Sequence, residues 1–169
     1  MMRSDERLTT PPGLRVCTTG GGEYMAQDPY SAGMLKKNLY VKRIPVTGRV
    51  VAVLEGCLEN RGLQLISPPS RAVLRHEIHE LILTDETEAG PGGKVERIAY
   101  LGFFEVAEGG IIRVGDAVII AGREVGFIAG YDETHMPNHL NIILKGEQRV
   151  TGAEMGIDLG DQIVIKGEE

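Results

Sequence analysis

The chain has no tryptophan, three phenylalanines and two cysteines in 169 residues. So few thiols exclude a disulfide framework, and Cys17 and Cys57 fit a reducing, cytoplasmic compartment as ordinary thiols. Long apolar runs are also missing: Gly, Asp, Glu or Arg cuts every aliphatic stretch within a few residues. Neither a membrane-spanning helix nor a secretory leader is therefore expected. Catalytic signatures are equally scarce. There is no Gly-X-Ser-X-Gly elbow, no Walker phosphate loop, no dinucleotide-binding Gly-X-Gly-X-X-Gly after a strand and no Cys-X-X-Cys. Gly20-Gly21-Gly22 lacks the following helix that would aim amide dipoles at a phosphate, and reads as a linker.

What the chain does have is glycine, 23 residues of it, set between short β-branched runs, a texture of tight turns joining aliphatic strands. Two near-copies of one phrase carry that texture best: Val114-Gly115-Asp116-Ala117-Val118-Ile119-Ile120 and Leu159-Gly160-Asp161-Gln162-Ile163-Val164-Ile165. In each, an apolar residue leads into a Gly-Asp corner that turns the chain, and a strand follows. Strands are expected at 39–46, 48–54, 111–114, 117–121, 124–129, 139–144 and 162–166. Residues 72–84 fit two periods. Leu74, Ile78, Leu81 and Ile82 share a helical face, whereas His76, Ile78, Glu80 and Ile82 share one side of a strand. The glycine-rich loop 86–94, which would close a hairpin onto 95–104, favours the strand. Regular short strands argue an all-β fold, a small closed or partly open β-barrel, which also removes exposed edges. The expected organisation is an irregular, extended N-terminal arm over 1–38 and a single β-barrel domain over 39–169.

Net charge is -6, unevenly spread: residues 1–49 hold eight Lys and Arg against four Asp and Glu, which leaves the remainder strongly acidic. A basic arm on an acidic body suggests contact with that body or with a neighbouring subunit, and Tyr24, Met25, Tyr30, Met34 and Leu35 offer apolar anchors for a homo-oligomer. So acidic a body argues against nucleic acid as a partner.

Residues 110–165 resemble the IIA component of the glucitol/sorbitol-specific phosphotransferase system, a family of small cytoplasmic β-barrels. The resemblance is carried by the apolar strand with its glycine corner at 111–120, the step Val125-Gly126-Phe127-Ile128-Ala129, the strand opened by a histidine in Asn138-His139-Leu140-Asn141-Ile142-Ile143-Leu144, and the Gly160-to-Ile165 close. It implies a barrel in the neighbourhood of sugar metabolism. That family bears its phosphate on a histidine just before the strand matching Gly110, yet residues 101–109 contain none. A phosphocarrier would then have to use His76 or His79 of His76-Glu77-Ile78-His79-Glu80-Leu81.

All four histidines fall in two pairs. On a strand His76 and His79 point to opposite faces, whereas on a helix they are neighbours, so a shared metal there requires a helix. The second pair lies in Tyr131-Asp132-Glu133-Thr134-His135-Met136-Pro137-Asn138-His139. Tyr131, Asp132, Glu133, His135, Asn138 and His139 are the candidate ligand-binding residues of that loop. Asp132, Glu133, His135 and His139 offer the carboxylate and imidazole donors that suit zinc, manganese or nickel. Zincin spacing is absent, and a loop between strands needs no function to be polar. The first reading is accordingly a binding or regulatory module without cofactor, taking a small polar ligand or a protein partner. A metal-dependent enzyme built on the 131–139 loop is the alternative, and the phosphocarrier the third.

Overall fold

The computed structural model describes residues 42–167; the expected arm at 1–38, with its anchors, lies outside them. In chain order the elements are β1 (Val46–Val53), β2 (Cys57–Leu58), β3 (Leu63–Gln64), β4 (Ser70–Val73), β5 (Ile78–Thr84), β6 (Lys94–Val95), β7 (Ile98–Glu108), β8 (Gly110–Arg113), β9 (Ala117–Ile120), β10 (Arg123–Asp132), β11 (Asn141–Lys145), the single helical turn α1 (Gly152–Met155) and β12 (Gln162–Lys166). The fold is mostly β-sheet, and no helix among the described residues is long and apolar enough to cross a membrane.

The repeated Gly-Asp phrase builds the same corner twice. Gly115 and Gly160 take φ of 91° and 88°, a region closed to most side chains. The following aspartate then folds back on the residue three before it: Arg113 donates its N–H to Asp116 Oδ2 at 2.7 Å, and Asp158 donates to Asp161 Oδ2 at 2.9 Å. The strands that leave the two corners, β9 and β12, pair antiparallel with Ile119 opposite Val164.

One sheet runs in the order β1-β12-β9-β10-β11-β5-β7-β2, and β1 also pairs with β7. This ring of strands is not a barrel, which corrects the closed or partly open β-barrel expected from the sequence. A barrel of this size has one interior and a wetted exterior. Here β5 and β11 pair in parallel, and β5 is buried continuously from His79 to Thr84, on both faces. Phe104, Leu81, Ile142, Ile128 and Ile163 belong to one apolar cluster. Ile82, Ile143 and Ala129, from the opposite face of the same strands, join Leu63, Leu65, Val95 and Ile98 in a second. The β3–β6 ribbon covers that outer face, so the continuous aliphatic runs of β5 and β11 mark two-sided burial.

The stretch 72–84, read as one strand, is two. Leu74 and Glu77 close a turn in which Glu77 donates its N–H to the Leu74 carbonyl and its carboxylate accepts from the Leu74 N–H, with His76 at φ 72°. β4 departs to pair with β8, while β5 enters the main sheet between β7 and β11.

Candidate metal centre

Strand register places four residues in one row across the sheet. Phe103 on β7 is opposite Glu80 on β5, Glu80 is opposite Asn141 on β11, and Asn141 is opposite Asp132 on β10. Directly paired residues share a face, so this polar row lies at the end of the outer apolar cluster. The chain between β10 and β11 winds back over it. Met136 donates to the Glu133 carbonyl at 3.0 Å, and the N–H groups of Asn138 and His139 donate to the His135 carbonyl at 2.9 and 3.3 Å. The turn closed by these bonds brings the two histidines together, and the His135 and His139 rings lie 4.8 Å apart between centroids.

Each member is held differently. Glu80 is buried, and burial pushes its carboxyl above the usual range, opposed by the charges of His135 and Arg61. His139 packs edge-on against Phe103 with centroids 5.0 Å apart. Its Nε2 is buried with no hydrogen-bond partner among the described residues and stands 3.8 Å from Glu80 Oε2, too far for a hydrogen bond. Burial first, then His135 and His79, hold the His139 imidazole below its ordinary value, which favours the neutral ring. His135 is exposed, and its Nδ1 meets Asn141 Oδ1 at 3.3 Å. The Asn141 amide cannot turn over, because its Nδ2 donates to Asp132 Oδ1 at 2.9 Å. His135 therefore donates through Nδ1 and keeps the Nε2 lone pair free. One ligand atom from each of Glu80, His135 and His139 lies within 4.8 Å of the other two.

Of the four metal donors expected from the sequence, the structure brings together His135 and His139. Asp132 is buried and saturated: besides Asn141 it accepts from the Gln64 N–H at 3.1 Å, the Thr134 N–H at 3.1 Å and the Thr134 hydroxyl at 3.0 Å. Glu133 turns away to pair with Arg71 at 2.9 Å. Tyr131 sits in the inner core, its hydroxyl without a partner among the described residues and its ionisation suppressed by burial and by Asp116. Asn138 is exposed on the loop. Glu80 and Asn141 escaped the sequence reading, although each is a buried polar residue embedded at the head of a strand's aliphatic run. That embedding was the available signal.

The other histidine pair is engaged elsewhere. His79 Nδ1 accepts from the Leu140 N–H at 3.2 Å and its Nε2 faces Glu77 at 3.1 Å, so no lone pair is left for a phosphoryl group. His76 is exposed and bound to Glu105 through Nδ1 at 2.9 Å.

No curated protein and no solved structure matches the chain. The model of a family of unknown function does match, over residues 40–166, and it displaces both the resemblance to the glucitol/sorbitol-specific IIA component and the sugar-phosphotransferase setting drawn from it. The chain belongs to that family, DUF6917.

Proposed function

We propose that this domain is a metal-dependent enzyme whose divalent ion is held by Glu80, His135 and His139. The observation that carries the reading is the His139 Nε2 atom, buried without a partner among the described residues and 3.8 Å from a buried carboxylate oxygen. Zinc bonds of about 2.0–2.2 Å in tetrahedral geometry set neighbouring ligand atoms about 3.4 Å apart, so the gap is near the size an ion would span. His135, exposed on the loop, closes the wider distances by a small side-chain movement. Asn141 and Asp132 orient His135 from behind, the arrangement that fixes a ligating imidazole in the correct tautomer.

Two imidazoles and one carboxylate suit zinc, manganese, nickel or ferrous iron and leave coordination positions open. Such an ion supplies Lewis-acid polarisation of a carbonyl or phosphoryl oxygen and activation of water. A reducing, cytoplasmic setting belongs to the same reading, in which the exposed Cys57 stays a thiol. Self-association completes the reading, and light scattering on the full chain tests it.

Elemental analysis of protein purified without chelator, followed by zinc titration, tests the centre. About one equivalent is expected. Glu80→Gln should abolish binding while leaving the metal-free protein folded and no less stable, because the carboxylate it replaces is desolvated by burial. A wild-type chain that binds none of the four metals overturns the proposal.

A further inference from the structure

The sheet face that carries Glu80 continues along the strands into a second row. There Ile82 is opposite Tyr100 on β7 and Ile143 on β11. This row lies two residues, roughly 7 Å, from that of Glu80. Arg61, in the segment leading into β3, reaches it. Its backbone N–H is fixed to the Glu96 carbonyl at 2.9 Å and its Nε donates to the Tyr100 hydroxyl at 2.9 Å.

We propose that the substrate of this centre carries an anionic group, a carboxylate or a phosphate, and that Arg61 receives it while the reacting part of the molecule sits at Glu80, His135 and His139. The inference rests on the metal-centre reading. Among the described residues no carboxylate pairs with Arg61, Arg75, Arg113 or Arg123, whereas Arg43, Arg49, Arg71, Arg97 and Arg149 each pair with one, and of the first four it is Arg61 that bonds Tyr100 in this row. The nearby Glu96 is engaged by Lys94 instead. Among the described residues the guanidinium is held through Nε only, which leaves both terminal nitrogens without a partner, the fork that takes two oxygens of a planar or tetrahedral anion. It is half-buried, which strengthens such a contact relative to one in open water. Its partner Tyr100 lies opposite Ile82, two residues along β5 from Glu80, which places Arg61 within a small substrate's length of the ligands. The Tyr100 hydroxyl fixes the distance between anchor and ion, so the site selects small anionic molecules over neutral ones of the same shape.

Cobalt(II) bound to the full chain gives visible absorption bands that respond to inner-sphere anions. Titration of the cobalt protein with inorganic phosphate and, separately, with acetate reads anion affinity in wild type, Arg61→Met and Tyr100→Phe. Arg61→Met should weaken the response to at least one anion by about tenfold or more and leave cobalt affinity unchanged or tighter, because a cation has been removed from beside the site. Tyr100→Phe, which frees the guanidinium without deleting it, should give a smaller loss and serves if the arginine variant does not fold. A stronger response to phosphate assigns a phosphorylated substrate, and a stronger response to acetate a carboxylate. Equal anion affinity in wild type and both variants, with cobalt still bound, overturns the role of Arg61 alone. Failure of wild type to bind cobalt overturns the metal centre and this inference together.

Discussion

His76 and His79 are three residues apart at the entry to β5, and His135 and His139 are four apart in the loop before β11. The pairs are near neighbours in space, for His79 binds the Leu140 backbone at 3.2 Å, one residue beyond His139. Their chemistry differs because their backbones differ. A tight turn followed by a strand separates His76 from His79, exposing one and burying the other with both ring nitrogens occupied. A hydrogen-bonded turn before β11 gathers His135 and His139, and one ligand atom of each lies within 4.8 Å of a carboxylate oxygen of Glu80 on β5. A histidine pair becomes a site when its lone pairs have nothing else to bind.

Substitutions that separate the two pairs test this distinction. The largest effect is expected from His135→Ala with His139→Ala, which should lower zinc affinity by well over a hundredfold in a calorimetric titration, more than loss of an outer partner does. His76→Ala should leave it unchanged. Next comes Asn141→Leu, which keeps both imidazoles but removes the acceptor that sets the His135 tautomer; a loss of about 10–100-fold is expected, with the folded state retained.

His79→Leu should act on stability instead. It leaves the Leu140 N–H unpaired in the interior, a cost of about 1–3 kcal/mol in denaturant unfolding. Burial holds the His79 imidazole below its ordinary value of 6.5. Its contribution to the metal-free protein is therefore fully present above that pH and is lost as pH falls through the folded-state value. The leucine variant should show a shallower decline on the acid side of 6.5.

Glu105→Gln gives the smallest change. His76 first, then Arg49, hold the Glu105 carboxyl below its ordinary 4.5, so its stabilisation is present above that pH and fades as pH falls through the lowered value. Exposure of the pair keeps the effect slight. A large loss of stability at neutral pH would show that the turn at His76 depends on this contact.

The strands were legible where local chemistry decides them. The corners at Gly115-Asp116 and Gly160-Asp161 carry their own hydrogen bonds, and the strands read at 117–121 and 162–166 form as β9 (Ala117–Ile120) and β12 (Gln162–Lys166). The barrel was a misreading of closure. Alternation along single strands cannot reveal that β5 and β11 pair in parallel under a second apolar cluster, because the covering residues Leu63, Leu65 and Val95 come from the β3–β6 ribbon and the residue just beyond β3. The site was half legible for the same reason. His135 and His139 are joined by their own turn, but Glu80 lies more than fifty residues upstream and arrives only through the pairing of β5 with β11, opposite Asn141. Asp132 and Glu133 were attractive as donors by proximity in sequence. The loop spends the first on its own backbone and amide bonds and sends the second to Arg71.

Anomalous diffraction at the zinc absorption edge, on crystals of the full chain grown with zinc, locates the ion directly. The expected result is one strong peak bonded to a Glu80 carboxylate oxygen, to a nitrogen of His139 and to Nε2 of His135, with Asn141 still on His135 Nδ1. Zinc bound at His76 or His79 with the Glu80 cluster empty, or no protein-bound zinc at all, would contradict it.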